Sequence, residues 1–181
     1  AGFEDVRLWG HDHEGAYCML PVRDPLESFM LLFTDFGPTL WMHVVLMFGA
    51  KGSVWGYGRF GDFLVVMSRL LFFINCFHYV DDYAGIEPAQ TAQSAFDTFE
   101  AFNTVLGCVM KQSKKQPPDS EQKMLGVNLG FHAEHVRVAP TPSRRKKLAD
   151  LANKALRANK LTPTAAGSLA GKAEFFDTTV Q

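Results

Sequence analysis

Two adjacent carboxylates, Asp81 and Asp82, constrain this chain more than any other feature of its sequence. They lie between two short apolar stretches, residues 76–80 and 83–86, which have the length and composition of β-strands. The acidic pair is therefore predicted at the tip of a hairpin. Because adjacent like charges repel one another and are costly to bury without a partner, the pair makes sense where a cation normally binds.

The spacing of apolar residues predicts a mixed α+β domain around this hairpin. A strand near residues 6–9 is followed by a helix over residues 53–74, where proline is absent and apolar side chains recur at helical intervals. A second helix is predicted over residues 91–110, and a second hairpin over residues 125–131 and 135–138. The order β-α-β-β-α-β is the split βαβ, or ferredoxin-like, pattern, in which helices cover one face of an antiparallel sheet.

A stretch with two prolines, residues 140–142, is the predicted boundary between this sheet domain, residues 1–139, and a helical segment, residues 140–181. A basic helix is predicted over residues 143–159, and a second helix follows it. Residues 113–123, which are polar and contain two prolines, are predicted to form a loop.

The composition excludes a disordered chain, because 47% of the 181 residues are hydrophobic and 13% are aromatic. The charge is unevenly distributed. Residues 1–110 hold five Lys or Arg and thirteen Asp or Glu, whereas residues 111–181 hold thirteen and six. An acidic region beside a basic one is common in nucleic-acid enzymes, although a solvated helix surface would explain the basic half equally well.

The three cysteines include no CxxC motif, and the chain opens without a signal-peptide pattern. We therefore expect an intracellular protein of the cytoplasm or nucleus, not a secreted one. Two apolar runs, residues 29–48 and 63–80, contain charged residues and read as core elements rather than membrane spans, so no membrane partner is expected.

A third carboxylate, Asp12, follows the first predicted strand in the sequence GHDHEGAY. In a split βαβ sheet this strand lies beside the central hairpin, so Asp12 is expected to approach Asp81 and Asp82. Clustered carboxylates bind hard divalent cations such as Mg²⁺, and two such ions can hold an in-line phosphoryl displacement.

These motifs resemble those of a reverse transcriptase, the RNA-directed DNA polymerase of a retrotransposon. Residues 79–82, Tyr-Val-Asp-Asp, match the YxDD box of that family, and residues 12–17, Asp-His-Glu-Gly-Ala-Tyr, match its first palm motif. Residues 47–53 are similar to the middle palm motif of that family, and residues 114–127 are similar to its later palm motif with the primer grip. Residues 161–175 are similar to its thumb-to-connection segment.

The resemblance implies a polymerase palm followed by the start of a small helical thumb. Asp12, Asp81 and Asp82 would be the catalytic carboxylates and would bind two Mg²⁺ ions, for which Mn²⁺ would substitute. The reaction would be template-directed nucleotidyl transfer, in which a primer 3′-hydroxyl attacks the α-phosphate of a deoxynucleoside triphosphate.

The resemblance also implies residues for nucleotide and template–primer binding. Tyr17 would lie under the incoming sugar and exclude a 2′-hydroxyl, and Lys114 or Lys115 would act near the pyrophosphate leaving group. An RNA or DNA template with a DNA primer would be the macromolecular partner. The full nucleotide-binding set is Tyr17, Phe48, Gly49, Lys114 and Lys115, and the template–primer set is Tyr79, Leu125, Gly126, Arg144, Arg145 and Lys147.

Two features depart from the family pattern. His11 stands where an aliphatic residue usually precedes the first Asp. Only eleven residues precede Asp12, so the fingers are expected to be missing and the chain is expected to act within a larger polyprotein carrying RNase H or integrase domains.

Two alternative functions follow from other observations. A degenerate retroelement remnant would fold and bind template–primer without catalysis. A nucleotide-cofactor-binding oxidoreductase module would use residues 56–61, which fit GxGxxG, with Asp81 twenty residues later. His11 and His13 would share one face of a strand, and we expect a partly exposed pair there rather than a transition-metal site.

Overall fold

A computed structural model of the chain describes residues 5–132 and 135–179. The described part is α+β, as the sequence predicts, with antiparallel pairing in its hairpins. The strands are β1 Val6–Asp12, β2 Phe29–Thr34, β3 Gly37–Met42, β4 Cys76–Tyr79, β5 Asp82–Pro88, β6 Gln116–Asp119, β7 Glu121–Met124, β8 Val127–Phe131 and β9 Val136–Pro140. The α-helices are α1 Lys51–Phe72, α2 Ala89–Val105, α3 Pro142–Ala158 and α4 Pro163–Thr179.

The chain divides into two compact units, which are described separately here. The sheet unit is Trp9–Pro118, and the C-terminal unit is Asp119–Gln181 together with Ala1–Leu8. The boundary between a palm at residues 1–139 and the start of a thumb at residues 140–181 stays a prediction.

The main sheet has the strand order β4-β5-β1-β6. With α1 and α2 inserted between β1 and β4 and between β5 and β6, this is the split βαβ arrangement that the sequence predicts. β4 and β5 pair antiparallel with Tyr79 opposite Asp82, so the two-residue turn consists of Val80 and Asp81. The hairpin with the acidic pair at its tip is confirmed.

The core of the sheet unit lies between the sheet and its two helices, where α1 packs on β4 and α2 packs on β5. Trp9 from β1, Leu64 from α1, Tyr83 from β5 and Phe99 from α2 are each at most 2% exposed. Burial of such large apolar side chains is the main favourable term in folding, at roughly 25 cal/mol per Å² of apolar surface.

Helix α1 presents small residues to the sheet, so that its backbone approaches β4 closely. Its buried positions recur at intervals of three or four residues, which places them on one helical face. Gly61 lies against the imidazole of His78, where a β-carbon would collide with the ring. The helix ends at Phe73, which adopts the left-handed conformation with φ 57°. The buried residues of α1 are Ser53, Tyr57, Gly61, Leu64, Val65 and Ser68.

The hairpin formed by β2 and β3 corrects the prediction that residues 29–48 belong to the core. Its side chains are largely exposed, including Phe33 at 82% and Phe36 at 98%. The turn consists of Asp35 and Phe36, and Pro38 lies inside β3 opposite Phe33. An isolated two-stranded ribbon has no sheet behind it, so neither of its faces is covered within the described residues.

The aromatic residues around the end of α1 are also more exposed than their sequence environment predicts. Phe72 and Phe77 are each 39% exposed and Phe73 is 87% exposed, so the assignment of all three to the core was wrong. Phe73 leaves the helical path through its left-handed conformation, and this turns its side chain away from the helix face that packs on the sheet.

The C-terminal unit combines a three-stranded antiparallel sheet with two helices. β7, β8 and β9 are consecutive neighbours, and the turn between β7 and β8 consists of Leu125 and Gly126, with φ values of 48° and 84°. Residues 113–123 were predicted to be a loop, but they contain β6 and β7. α3 begins at Pro142 and packs against α4, as predicted for the basic segment.

No helix among the described residues is long and apolar enough to cross a membrane.

The close approach of β1 and β5 gives a stability prediction. A β-carbon on Gly85 would collide with the buried indole of Trp9. Gly85→Ala should therefore lower the free energy of unfolding by about 1–3 kcal/mol through overpacking. Gly58→Ala, on a part of α1 with open space around it, should instead raise stability by about 0.5–1 kcal/mol. Urea denaturation of both variants checks this, and equal stability of the two would contradict the packing described here.

Candidate active site

The end of β1 and the tip of the β4–β5 hairpin lie side by side. The backbone N–H of His13 donates to the backbone carbonyl of Asp81 at 3.3 Å, which ties the residue after Asp12 to the turn. The carbonyl of Asp12 accepts from the N–H of Lys111 at 2.8 Å. The structure thus brings together Asp12 and the acidic pair, which are 69 residues apart in the chain.

The Asp12 and Asp82 side chains share a hydrogen bond. Asp12 is only 4% exposed, whereas Asp82 is exposed. Partial burial, the hydrogen bond to Asp12 and the neighbouring charges of Asp12 and Asp81 raise the pKa of Asp82 above its ordinary value. A raised pKa is the expected response of a carboxyl group held close to like charges.

A lysine ammonium group completes this cluster. Lys114 Nζ donates to Asp12 Oδ2 at 2.5 Å, and this hydrogen bond raises the pKa of Lys114, with the charges of Asp82 and Asp81 acting in the same direction. The lysine is positioned by the short 3₁₀ helix Gln112–Lys114, which follows directly on the Lys111 contact with β1. Lys115 points elsewhere and forms an ion pair with Glu100 of α2. Of the two candidate lysines, only Lys114 contacts the carboxylates.

The turn that carries the acidic pair is strained. Val80 has φ 55°, a conformation that β-branched residues rarely adopt. The Val80 carbonyl lies 3.1 Å from His78 Nδ1, and His78 Nε2 lies 3.1 Å from Asp62 Oδ1. This histidine therefore anchors the turn to α1, while Tyr79 beside it is 62% exposed.

The aromatic residues proposed for nucleotide binding lie together. Gly15, with φ 66°, begins the short 3₁₀ helix Ala16–Met19, which carries Tyr17. The Tyr17 ring makes edge-to-face contact with Phe48 at 4.9 Å between centroids and with Tyr57 at 5.5 Å. Phe48 is 70% exposed, and the next residue, Gly49, has φ 87° with open space beside it.

The remaining template–primer candidates lie in the C-terminal unit. Leu125 and Gly126 form the β7–β8 turn, and a β-carbon on Gly126 would collide with the guanidinium of Arg144. The same guanidinium stacks over the Phe175 ring at 4.3 Å. Arg144 is thus held by its own unit, whereas Arg145 and Lys147 extend from α3 into solvent.

Both histidines beside Asp12 are buried, so the expectation of a partly exposed pair was wrong. His11 stacks on Phe96 with 4.2 Å between ring centroids, and burial lowers its pKa to about 4. Burial also lowers the pKa of His13. A buried imidazole therefore occupies the position before Asp12, where the resemblance implied an aliphatic side chain.

The hydrogen-bond partners of His13 were not predicted from the sequence. Its Nδ1 lies 2.5 Å from the Tyr57 hydroxyl, and its Nε2 lies 2.9 Å from Asn103 Oδ1. These partners are 44 and 90 residues away in the chain. The available signal in the sequence was one polar side chain on each of the two predicted helices, namely Tyr57 and Asn103.

The donor set suits a hard divalent cation, since carboxylate oxygens are the ligands that Mg²⁺ prefers. In the arrangement seen, however, no group of three or more His, Cys, Asp or Glu among residues 5–132 and 135–179 is placed to hold a metal ion. The Lys114 ammonium and the Asp12–Asp82 hydrogen bond use the oxygens that a cation would need. Metal binding would require both to be released.

The GxGxxG sequence of residues 56–61 lies wholly inside α1, which begins at Lys51. A dinucleotide-binding loop needs a strand before its first glycine and a helix beginning after it. Gly56 instead packs on Leu46, and Gly61 packs on His78. The structure therefore does not provide the loop on which the oxidoreductase alternative depends.

Comparison with solved structures shows the class of fold. The chain is similar to the foamy viral protease-reverse transcriptase in complex with an RNA/DNA hybrid, with a TM-score of 0.66 and 13% identity over 93% of this chain. It is also similar to the foamy viral protease-reverse transcriptase dRH in complex with double-stranded DNA, with a TM-score of 0.64 and 16% identity over 93% of this chain.

The fold is thus reverse-transcriptase-like, which confirms the fold class that the motifs imply. The chain spans 21% and 27% of the length of the two matched chains. No protein-family profile matches the sequence, and no curated protein matches it.

The raised pKa of Asp82 gives a prediction about stability and pH. Because the pKa of Asp82 is raised on folding, the stabilisation from its proton is complete below the unfolded-state pKa of about 3.9 and is lost as the pH rises through the folded-state value. Asp82→Asn removes the charge. In EDTA the variant should have a higher urea midpoint than the wild type at pH 7, and the difference should shrink toward pH 4.

Asp97→Asn is the matched control. Asp97 is exposed on α2, and its side chain accepts a hydrogen bond from Gln93 rather than bonding to another carboxyl group. It should show no pH-dependent gain. An Asp82→Asn variant that is less stable than the wild type at pH 7 would contradict the like-charge account of the site.

Proposed function

We propose that this chain is the palm of an RNA-directed DNA polymerase of the retrotransposon type, with the start of its thumb. The observation that carries the proposal is the convergence of Asp12, Asp81 and Asp82 with Lys114 at one edge of a split βαβ sheet. The reverse-transcriptase-like fold supports it independently of the motifs.

The three carboxylates would hold two divalent cations, Mg²⁺ or Mn²⁺. Such ions stabilise the charge that develops on the attacking and leaving oxygens of a phosphoryl transfer. The hydrogen bond between Asp12 and Asp82 would first be released, and Asp81 would join them from the turn. Burial of Asp12 beside the buried His13 excludes water from one side of the cluster and so strengthens its electrostatic interactions.

The protein's own groups would then orient the nucleotide and handle the leaving group. Tyr17, in edge-to-face contact with Phe48, would support the deoxyribose and exclude a 2′-hydroxyl. Open space beside Gly49 leaves room for a base or template. A lysine is protonated at neutral pH, so Lys114 would move as an ammonium group from Asp12 to the pyrophosphate oxygens when the triphosphate arrives.

The partners in this proposal are an RNA or DNA template with a DNA primer, deoxynucleoside triphosphates, and the remaining domains of a larger polyprotein. The matched foamy viral structures contain an RNA/DNA hybrid and double-stranded DNA. The exposed cations Arg145 and Lys147 on α3 suit contact with a phosphate backbone.

One observation favours a second candidate, a remnant that binds template–primer without catalysis. The Lys114 ammonium neutralises Asp12, and no metal-holding group is formed among the described residues in this state. Such a protein would bind template–primer equally well with and without divalent ions and would add no nucleotide.

Substitution of the turn carboxylate tests the proposal. Asp81→Asn should lower the rate of primer extension on an RNA template by about 10³-fold, because removal of a metal ligand costs several kcal/mol of transition-state stabilisation. Template–primer affinity in EDTA should remain close to wild type. Extension that survives Asp81→Asn, measured with the chain joined to its remaining polymerase domains, would contradict the catalytic proposal.

The two lysines provide a matched pair of variants. Lys114→Ala should lower the extension rate by roughly 10²–10⁴-fold, the range for loss of a general acid. Lys115→Ala breaks the ion pair with Glu100 and should leave the rate close to wild type. The assignment of Lys114 fails if the two variants lose activity equally, and measurement of single-nucleotide addition distinguishes these outcomes.

A further inference from the structure

A chain of buried hydrogen bonds lies directly behind the carboxylate cluster. The Tyr83 and Tyr57 hydroxyls are 3.2 Å apart, and the Tyr57 hydroxyl is 2.5 Å from His13 Nδ1. His13 Nε2 is 2.9 Å from Asn103 Oδ1, and Asn103 Nδ2 donates to the Phe99 carbonyl at 2.8 Å. Tyr57, Tyr83, His13 and Asn103 are each at most 2% exposed.

The direction of every hydrogen bond in this chain is determined. The amide of Asn103 donates to a carbonyl, so its Oδ1 accepts from His13, and His13 carries its proton on Nε2. His13 Nδ1 is then an acceptor, and the Tyr57 hydroxyl donates to it. The Tyr57 oxygen in turn accepts from the Tyr83 hydroxyl. A network with all of its members satisfied is rigid and sets one arrangement of the groups that it joins.

Each member of the network comes from a different element. His13 follows β1, Tyr57 lies in α1, Tyr83 lies in β5 and Asn103 lies in α2. His13 and Tyr83 are the direct chain neighbours of Asp12 and Asp82, and the His13 N–H binds the Asp81 carbonyl. His13 and Tyr83 are thus joined to Asp12 and Asp82 by one peptide bond each, and a backbone hydrogen bond of His13 joins the network to Asp81.

We propose that His13 and Tyr57 are positioning residues that set the separation of Asp12 from the Asp81–Asp82 turn. This inference rests on the proposed polymerase function. Metal-assisted transfer needs its ligands held closely, and an error of about 1 Å in position can lower a rate by about 10²-fold. The strained φ of Val80 makes the turn the element that would relax if the hydrogen bonds behind it were removed.

The variant Tyr57→Phe tests the proposal because it keeps the ring and its contacts with Tyr17 and His13 while deleting only the hydroxyl. In the complete chain we expect Mn²⁺ affinity, measured by electron paramagnetic resonance of the free ion, to fall by roughly 10-fold or more. The maximal rate of nucleotide addition should fall by about 10–100-fold. The KM for nucleotide and the affinity for template–primer should change little.

Val65→Ala is the matched control, since Val65 lies buried on the same helix and outside the network. It loses packing and stability but should keep the metal affinity and maximal rate of the wild type. If Tyr57→Phe does not fold, Tyr83→Phe replaces it, because this change removes only the outermost hydroxyl and should act in the same direction. In the metal-free chain, ¹⁵N resonances of His13 should show a proton on Nε2, with the Nδ1 resonance shifted by Tyr57→Phe.

The outcomes separate this proposal from the proposed function. If the wild-type chain, joined to its remaining polymerase domains, binds no Mn²⁺ and adds no nucleotide, the polymerase function and the positioning role are contradicted together. A wild-type chain that does both, with Tyr57→Phe indistinguishable from Val65→Ala in metal affinity and rate, overturns the positioning role alone. A His13 proton found on Nδ1 also overturns it.

Discussion

Mutual repulsion among three carboxylates is the constraint on which the edge of the sheet unit depends. Asp12 is buried and Asp82 is exposed, and a hydrogen bond joins them while Asp81 lies in the adjacent turn. The Lys114 ammonium contributes the compensating charge. A hairpin turn alone would need only one Asp or Asn at this position. The clustering of three carboxylates therefore indicates a functional role rather than a structural one.

The same interactions that stabilise the metal-free site also set the conditions for its use. In the proposed function, a divalent cation would displace the Lys114 ammonium from Asp12 and break the hydrogen bond between Asp12 and Asp82. Behind these carboxylates, His13 forms buried hydrogen bonds to Tyr57 and Asn103, and its backbone N–H donates to the Asp81 carbonyl. The carboxylates thus have partners that can be exchanged, whereas the hydrogen bonds of His13 behind them are buried. This arrangement suits a site whose ligands are positioned before substrate arrives.

Features that depend on local spacing were predictable from the sequence. The hairpin around Asp81, the helix α1 and the position of β1 beside that hairpin all follow from apolar periodicity and from the known connection of a split βαβ unit. The separation of Lys114 from Lys115 was not predictable, because it depends on the direction in which one short 3₁₀ helix continues from Lys111 beside the end of β1. The pairing of His13 with Asn103 was equally hidden, since it needs the packing of α2 against the sheet.

Burial was the least predictable property. Phe73 and Phe33 stand in strongly apolar stretches, yet they are 87% and 82% exposed. Burial of an apolar side chain is favourable, but the local sequence does not reveal which surface would cover that side chain. Strands β6 and β7 were missed for the opposite reason, because polar residues and prolines are typical of loops and these strands pair with little apolar contact.

Location of bound Mn²⁺ by anomalous diffraction from crystals of this chain tests the central claim most directly. The account predicts two peaks roughly 3.5–4 Å apart, bridged by the carboxylates of Asp12 and Asp81, with Lys114 withdrawn from Asp12. Crystals in high Mn²⁺ that show no peak at this edge, with Lys114 still on Asp12, would contradict it.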